Sequence, residues 1–397
     1  MKAVIKMAVA RIAINPDVVS HYIQTSDVPI DDLAQDNHLK NITEWLNLTI
    51  QPTFNQLNQL SKKLKIPFGY LLLNEVQSEE TKLVEYRSIL NNDISKPSRD
   101  LLETISDMEE KQNWMVDYLI RNGYQKLSFV GIASTNQDVE KVATIIRKTL
   151  NIEDTWYLHC SYGTAFNYLR KKFEAMGILV MQNGVVKSNT HRPLNIDEFR
   201  AFALVDDHAP LIFINSTDSF NGKIFSLFHE VVHIFLGEND LFNDNHTASP
   251  LYRNDTEIFC NAVASELCVS TNNFKKMWNT LDTLSNAEKV HEIAQKCRVS
   301  MLVIAVKALK NKYIDESMYY DIRKECLHYY KREKDRISNS TGGGNGLNTA
   351  ISKIDNRFFH FLSNDIKHGH TQYTEAFRLL NTNRKTYDKI EKKILEG

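Results

Sequence analysis

Apolar residues recur at helical spacing through most of the chain and gather into short strand-like runs only near its centre. Behind the helix-start signal Asn15-Pro16, residues Val18, Val19, Tyr22 and Ile23 form one apolar stripe. Asp31 to Ala34 predicts a second short helix, and His38 to Leu48 a third. Pro52-Thr53 opens a fourth, with Leu57, Leu60 and Leu64 on one side. Four or five short helices within about 60 residues is the look of a helix-turn-helix module.

Residues 76–100 are polar and end in Lys96-Pro97-Ser98, which reads as a linker. A long amphipathic helix is predicted from Ser98 to Asn122, stopped by Asn122-Gly123. Leu127 to Gly131 reads as a strand, followed by helices over Asp138–Leu150 and Thr164–Met176. Ile178–Met181 then reads as a strand ending in a turn at Asn183-Gly184, and Phe199–Val205 and Leu211–Ile214 as two more. Asn221 to Leu236 is apolar on most sides, so it predicts a buried helix, stopped by Gly237. Further helices fill 256–335, Ser338–Gly346 is a flexible Gly-rich break, and a small helical tail follows. The expected class is α+β and mostly helical, with a short sheet packed on central helices. The expected organisation is a helix-turn-helix-like domain at 1–75, a linking segment at 76–150, a core with its following helices at 151–337, and a C-terminal extension at 338–397.

Composition narrows the picture. The 397 residues are 42% hydrophobic and 24% charged, with a formal net charge of -1, so no general attraction to nucleic acid or anionic membranes is predicted. Lys2, Lys6 and Arg11 interrupt the apolar start, which prevents an uncharged signal-peptide core, and Met7 is an alternative start. No uncharged run approaches bilayer length. Cys160, Cys260, Cys268, Cys297 and Cys326 are odd in number, dispersed, and without a C-x-x-C pair, which predicts buried thiols and a reducing cytoplasm.

The candidate chemistry lies in His229-Glu230-Val231-Val232-His233, an H-E-x-x-H sequence. Residues four apart share a helix face, so both imidazoles can reach one ion. Glu230 can approach the water on that ion without binding the metal itself. Three polar residues amid Phe225-Ser226-Leu227-Phe228 and Ile234-Phe235-Leu236 would be costly unless something pairs with them, and a metal does that. A zinc site with an open position needs a third protein ligand. The segment Glu257–Leu267 offers two carboxylates, Glu257 and Glu266, on opposite helix faces. Glu257 shares its face with Asn261 and Ala264, which suits close packing, and Asn261 is then placed to hydrogen-bond a ligating histidine. Asp255 and Glu238 are the weaker alternatives, and Cys260 lies one turn from Glu257. With zinc acidifying water, Glu230 would take the proton and pass it to a leaving amine. His191, Tyr252, Arg253 and His291 remain open as donors to an oxyanion. Zinc is favoured by two His and one Glu, with manganese or iron able to occupy similar sites.

At these residues the chain resembles the ImmA/IrrE family of metallo-endopeptidases. The resemblance runs through Leu194–Ala203, Ala209–Asn215 and Phe225–His233, and through Glu257-x-x-Cys260-Asn261-x-Val263-Ala264, where the family usually has Ala before the Asn. It implies a zincin-like core with a Glu third ligand, which agrees with Glu257. It also implies cleavage of a transcriptional repressor or antitoxin, in control of mobile elements or stress responses. Gln51–Leu57 and Pro67–Leu73 are similar to the XRE-type helix-turn-helix modules fused to such peptidases, and the tail beyond Gly343 is similar to their C-terminal extensions.

The N-terminal module departs from that pattern. His38–Leu48, in the place of a recognition helix, has one Lys and no Arg. DNA binding normally needs several Lys or Arg contacts to phosphate. The module therefore supports DNA binding only weakly, and docking a protein partner, such as the helix-turn-helix of the substrate, is the alternative expectation. The alternatives to a peptidase are a DNA-binding regulator that uses the fold for sensing and an antitoxin-like partner.

Overall fold

The computed structural model describes residues 11–26, 28–66, 68–76, 97–237, 240–242, 255–338 and 346–395. The chain forms two compact units, residues 1–88 and 89–397.

The first unit contains α1 (Pro16–Gln24), α2 (Ile30–Ala34), α3 (Ile42–Leu46) and α4 (Phe54–Leu64). Asn15 caps α1, and Thr53 with Gln56 forms a reciprocal capping box on α4. Val19, Tyr22, Leu33, Trp45, Leu57 and Leu60 are buried together. The third helix is shorter than His38–Leu48. Asp36 accepts from the backbone N–H of His38, which holds a turn that delivers Leu39 to the core, and Leu48 has a left-handed backbone that ends the helix. Pro67 lies outside the described residues, as do residues 77–96, which take in most of the expected linker.

In the second unit, Ser98 caps the long helix α5 (Arg99–Arg121), and α6 (Val139–Leu150) and α7 (Ala165–Ala175) follow. The expected strand at Leu127–Gly131 is instead a turn. Its backbone hydrogen-bonding groups go elsewhere: Leu127 donates to Asp207, Gly131 to Ile234 and Ala133 to Phe235. The segment therefore caps a helix end rather than extending a sheet.

Four short strands, β1 (Leu179–Asn183), β2 (Ala201–Leu204), β3 (Leu211–Asn215) and β4 (Asp240–Phe242), form a sheet in the order β1-β3-β2-β4. β1 runs parallel to β3, pairing Val180 with Ile212, whereas β2 is antiparallel to β3 and to β4. Asn183-Gly184 is thus not a hairpin turn. Asn183 accepts from the backbone of Gly184 and Val185 and starts a longer excursion that returns at β2. β2 and β3 are buried on both faces, so their composition is near-continuously apolar. On one face Ala201, Ala203, Ile212 and Ile214 share a core with the long apolar helix α8 (Phe220–Leu236), and the two alanines allow it close approach. On the other, Phe202 stacks on Phe213 at 5.0 Å.

Six elements follow: α9 (Asp255–Cys268), α10 (Thr271–Thr280), α11 (Asn286–Cys297), α12 (Met301–Lys310), α13 (Glu316–Ser338) and α14 (Gly346–Lys353). α15 (Asn356–Lys367), α16 (Tyr373–Leu379) and α17 (Arg384–Leu395) complete the chain. The Gly-rich break falls on residues 339–345, outside those described. The final helices pack onto the second unit. Buried Asp355 accepts from the Val180 N–H on the outer edge of β1 at 2.9 Å, and Arg170 donates to the carbonyls of Ser352 and Ile354. Trp114 on α5 donates to Thr371 at 3.1 Å. A bare strand edge invites foreign pairing, and this covering removes part of it. Among the described residues no helix is long and apolar enough to cross a membrane, and no disulfide joins the five cysteines. Burial pushes the Cys268 and Cys297 thiols up to about 12, which makes them unreactive.

Candidate metal centre

α8 is set by its ends. Ser219 caps it by accepting from the Gly222 N–H at 3.1 Å, and Gly237, at φ +76°, closes it in the left-handed conformation. A Cβ on Gly222 would lie 2.4 Å from Asp218, so glycine is required where the Asp218 carboxylate tucks under the first turn. Both oxygens of Asp218 accept from Arg200, at 2.9 Å each, tying the helix start to β2. A glycine in the first turn after Asp-Ser is the local sequence signal for this brace.

Two turns on, His229, Glu230 and His233 are each fully buried. The two histidine Nε2 atoms lie 3.1 Å apart. Glu257, arriving from the start of α9, places Oε2 3.3 Å from His229 Nε2 and Oε1 3.3 Å from His233 Nε2. The three donor atoms all fall within 4.8 Å of one another. Two nitrogens about 2.0–2.1 Å from one ion, at a tetrahedral angle, would sit roughly 3.3 Å apart. The donor set therefore fits a small divalent cation in both chemistry and spacing. Burial pushes His233 below its ordinary range despite the opposing bond from Glu257, which favours the neutral imidazole that binds metals.

The other candidates divide clearly. Asn261 does not reach a histidine: its side chain is exposed, and among the described residues no hydrogen bond joins it to either ring. The reason is helix phase. The inward side of α9 carries Glu257, Cys260 and Ala264, and Asn261 is rotated past its edge. Cys260 takes the neighbouring place, with Sγ 3.9 Å from His233 Nδ1. Glu266 turns away to a buried ion pair with Lys307 at 2.6 Å, and it also accepts from the backbone and hydroxyl of Thr271. Asp255, His191 and His291 are exposed. Glu238, Tyr252 and Arg253 lie outside the described residues.

Residues 173–309 match the Peptidase M78 family, described as the IrrE N-terminal-like domain. This span includes the sheet, α8 and α9, and it supports a kinship with ImmA/IrrE proteins and a metallopeptidase-like function. Residues 354–393, in the C-terminal helices, match a domain of unknown function. No curated protein and no solved structure matches the chain significantly.

Proposed function

We propose that this protein is a metal-dependent endopeptidase in which His229, His233 and Glu257 hold a divalent cation, with zinc the best fit, and Glu230 moves the proton. The observation that carries the reading is the convergence of two imidazole nitrogens and a carboxylate within 4.8 Å, beside a second, fully buried carboxylate. When bound, such a cation supplies Lewis acidity that acidifies water and polarises a peptide carbonyl. Glu230, one residue after His229, is placed on the helix to accept a proton from water at a carboxylate oxygen and return it to the departing nitrogen. Glu257 balances cationic charge, and the buried α8 holds all the α8 groups on a rigid element. The proposed substrate is a regulatory protein, a helix-turn-helix repressor or antitoxin, in keeping with the ImmA/IrrE resemblance.

The test is to co-express the chain with the products of neighbouring genes, as wild type and as Glu230→Gln, and look for a neighbour that shortens. Glu230→Gln should slow cleavage by about 10²–10⁴-fold while bound metal, measured by mass spectrometry, is retained. Undiminished cleavage by Glu230→Gln would overturn the mechanism.

A further inference from the structure

Glu230 is the last of three polar residues at i, i+3 and i+7 on α8, after Lys223 and Ser226. At 100° per residue the three lie within an arc of about 60°. The two upstream groups have chemistry still to be satisfied. The Ser226 hydroxyl is buried and has no hydrogen-bond partner among the described residues. Buried polar groups are seldom left so, and those that are mark the place of a missing water or ligand.

Lys223 is the second, separate observation. It is partly buried, and no ion pair or hydrogen bond reaches its Nζ among the described residues. The ammonium instead lies 5.5 Å from the centre of the Phe166 ring and 5.8 Å from that of Phe220. Among the described residues Asp218 is the one acid whose charge acts on it, and both Asp218 oxygens are already held by Arg200. A cation in the first turns of a helix also opposes the helix dipole. Burial accordingly depresses Lys223 below the ordinary lysine value. A cation kept under these conditions, with a reachable face, is suited to receiving an anion. Tyr162, half exposed and packed at a tilt against Phe220 with ring centres 4.6 Å apart, gives the same spot an apolar wall.

We infer that Lys223, one turn before Ser226 on the same face of α8, forms a carboxylate-recognition subsite, so that the preferred polypeptide carries an acidic side chain near the bond to be cut. Seven helical residues separate Lys223 from Glu230 by about 10 Å, which is roughly three residues of extended peptide. The inference rests on the peptidase reading for its setting, and its test is built to fail separately.

The full-length Glu230→Gln protein, with zinc and with its lysines ¹³C-dimethylated, is titrated with three N-acetylated alanine-based hexapeptides, two of them also amidated at the C-terminus, and followed by NMR. One peptide carries a single Glu, one carries Gln in its place, and one has no acidic side chain but a free C-terminal carboxylate. The Lys223 resonance is assigned by its loss in an added Lys223→Met substitution. The Glu peptide is expected to move it at a concentration at least about tenfold lower than the Gln peptide. Equal responses to Glu and Gln, or no response, would overturn the subsite. A response to the free carboxylate alone would overturn the side-chain assignment in favour of a chain terminus. In parallel, wild type, Lys223→Met and Lys223→Glu are offered a positional peptide library. The ratio of kcat/KM for Glu to Gln peptides should fall at least about tenfold in Lys223→Met and reverse in favour of Lys-bearing peptides in Lys223→Glu. An unchanged ratio counts against the subsite. If wild type cuts no peptide at all, the peptidase reading fails while the resonance shifts still decide the subsite.

Discussion

One helix, α9, carries two carboxylates from opposite faces into two different solutions of the same electrostatic problem. Glu266 meets the Lys307 ammonium at 2.6 Å, and each side chain is only 7% exposed. Its charge is balanced within the protein, and Thr271 supplies two further hydrogen bonds. Glu257, 22% exposed, meets two buried imidazoles instead. Imidazoles bind metals in their neutral form and then do not cancel a carboxylate, so a cation would complete this face. Under the proposed function, glutamates on one element would thus take a stability role and a ligand role according to what faces them. The presence of Glu on a helix settles neither.

The contrast can be broken most forcefully at Glu266. Glu266→Ala leaves Lys307 buried without its counter-ion and should cost about 3–5 kcal/mol in urea unfolding. Replacing both residues by Met should recover most of that loss, since an apolar pair of similar volume is tolerated. A single-variant cost below about 1 kcal/mol, the range of exposed pairs, would mean that Lys307 finds another partner.

Metal linkage separates the two faces next. Zinc at 100 times its dissociation constant should add about 2.7 kcal/mol to unfolding. That increment should persist in Glu266→Gln and largely vanish in Glu257→Gln, as read by thermal melts with and without chelator. Equal responses in the two variants would mean that the two faces of α9 do not differ in metal binding.

Acid sharpens the comparison further. Burial alone would raise the Glu266 carboxyl, but the Lys307 charge and bond and the two Thr271 bonds outweigh it and hold it below the ordinary value of 4.5. A depressed carboxyl contributes stability that is present above its unfolded value and lost as pH falls through its folded one. Wild type should therefore weaken as pH drops below about 4.5, and Glu266→Gln should show a shallower decline over the same range. Parallel curves would remove Glu266 from the account.

The smallest effects concern the residues flanking Glu257. Cys260→Ala removes a weak sulfur contact to His233 and should lower metal affinity by about tenfold or less, measured by chelator competition. Asn261→Ala, at an exposed position, should leave affinity unchanged. The reverse ranking would show that Asn261 reaches the site in solution.

Much of the local structure was legible because it depends on neighbours in the chain. Ser98, Thr53 and Gly237 announce helix ends through hydrogen bonds and backbone conformations that span only a few residues. The four-residue spacing of His229 and His233 put them on one face before any fold was known. Other features depended on distant partners. Leu127–Gly131 has the composition of a strand yet caps the end of α8, because the carbonyls of Ile234 and Phe235 lie opposite it. The parallel pairing of β1 with β3 joins residues 32 apart, from Leu179 with Leu211 to Asn183 with Asn215, and no local signal records it.

The chain's own order of residues was enough to place a histidine pair and a carboxylate on one apolar helix, since helical periodicity is a property of the backbone alone. Whether a second helix would turn Glu257 or Glu266 toward that pair, and whether Asn261 or Cys260 would stand beside it, was settled by the packing of α9. The rotation of a helix about its axis follows from all of its neighbours at once, and those neighbours come from segments far apart in the chain.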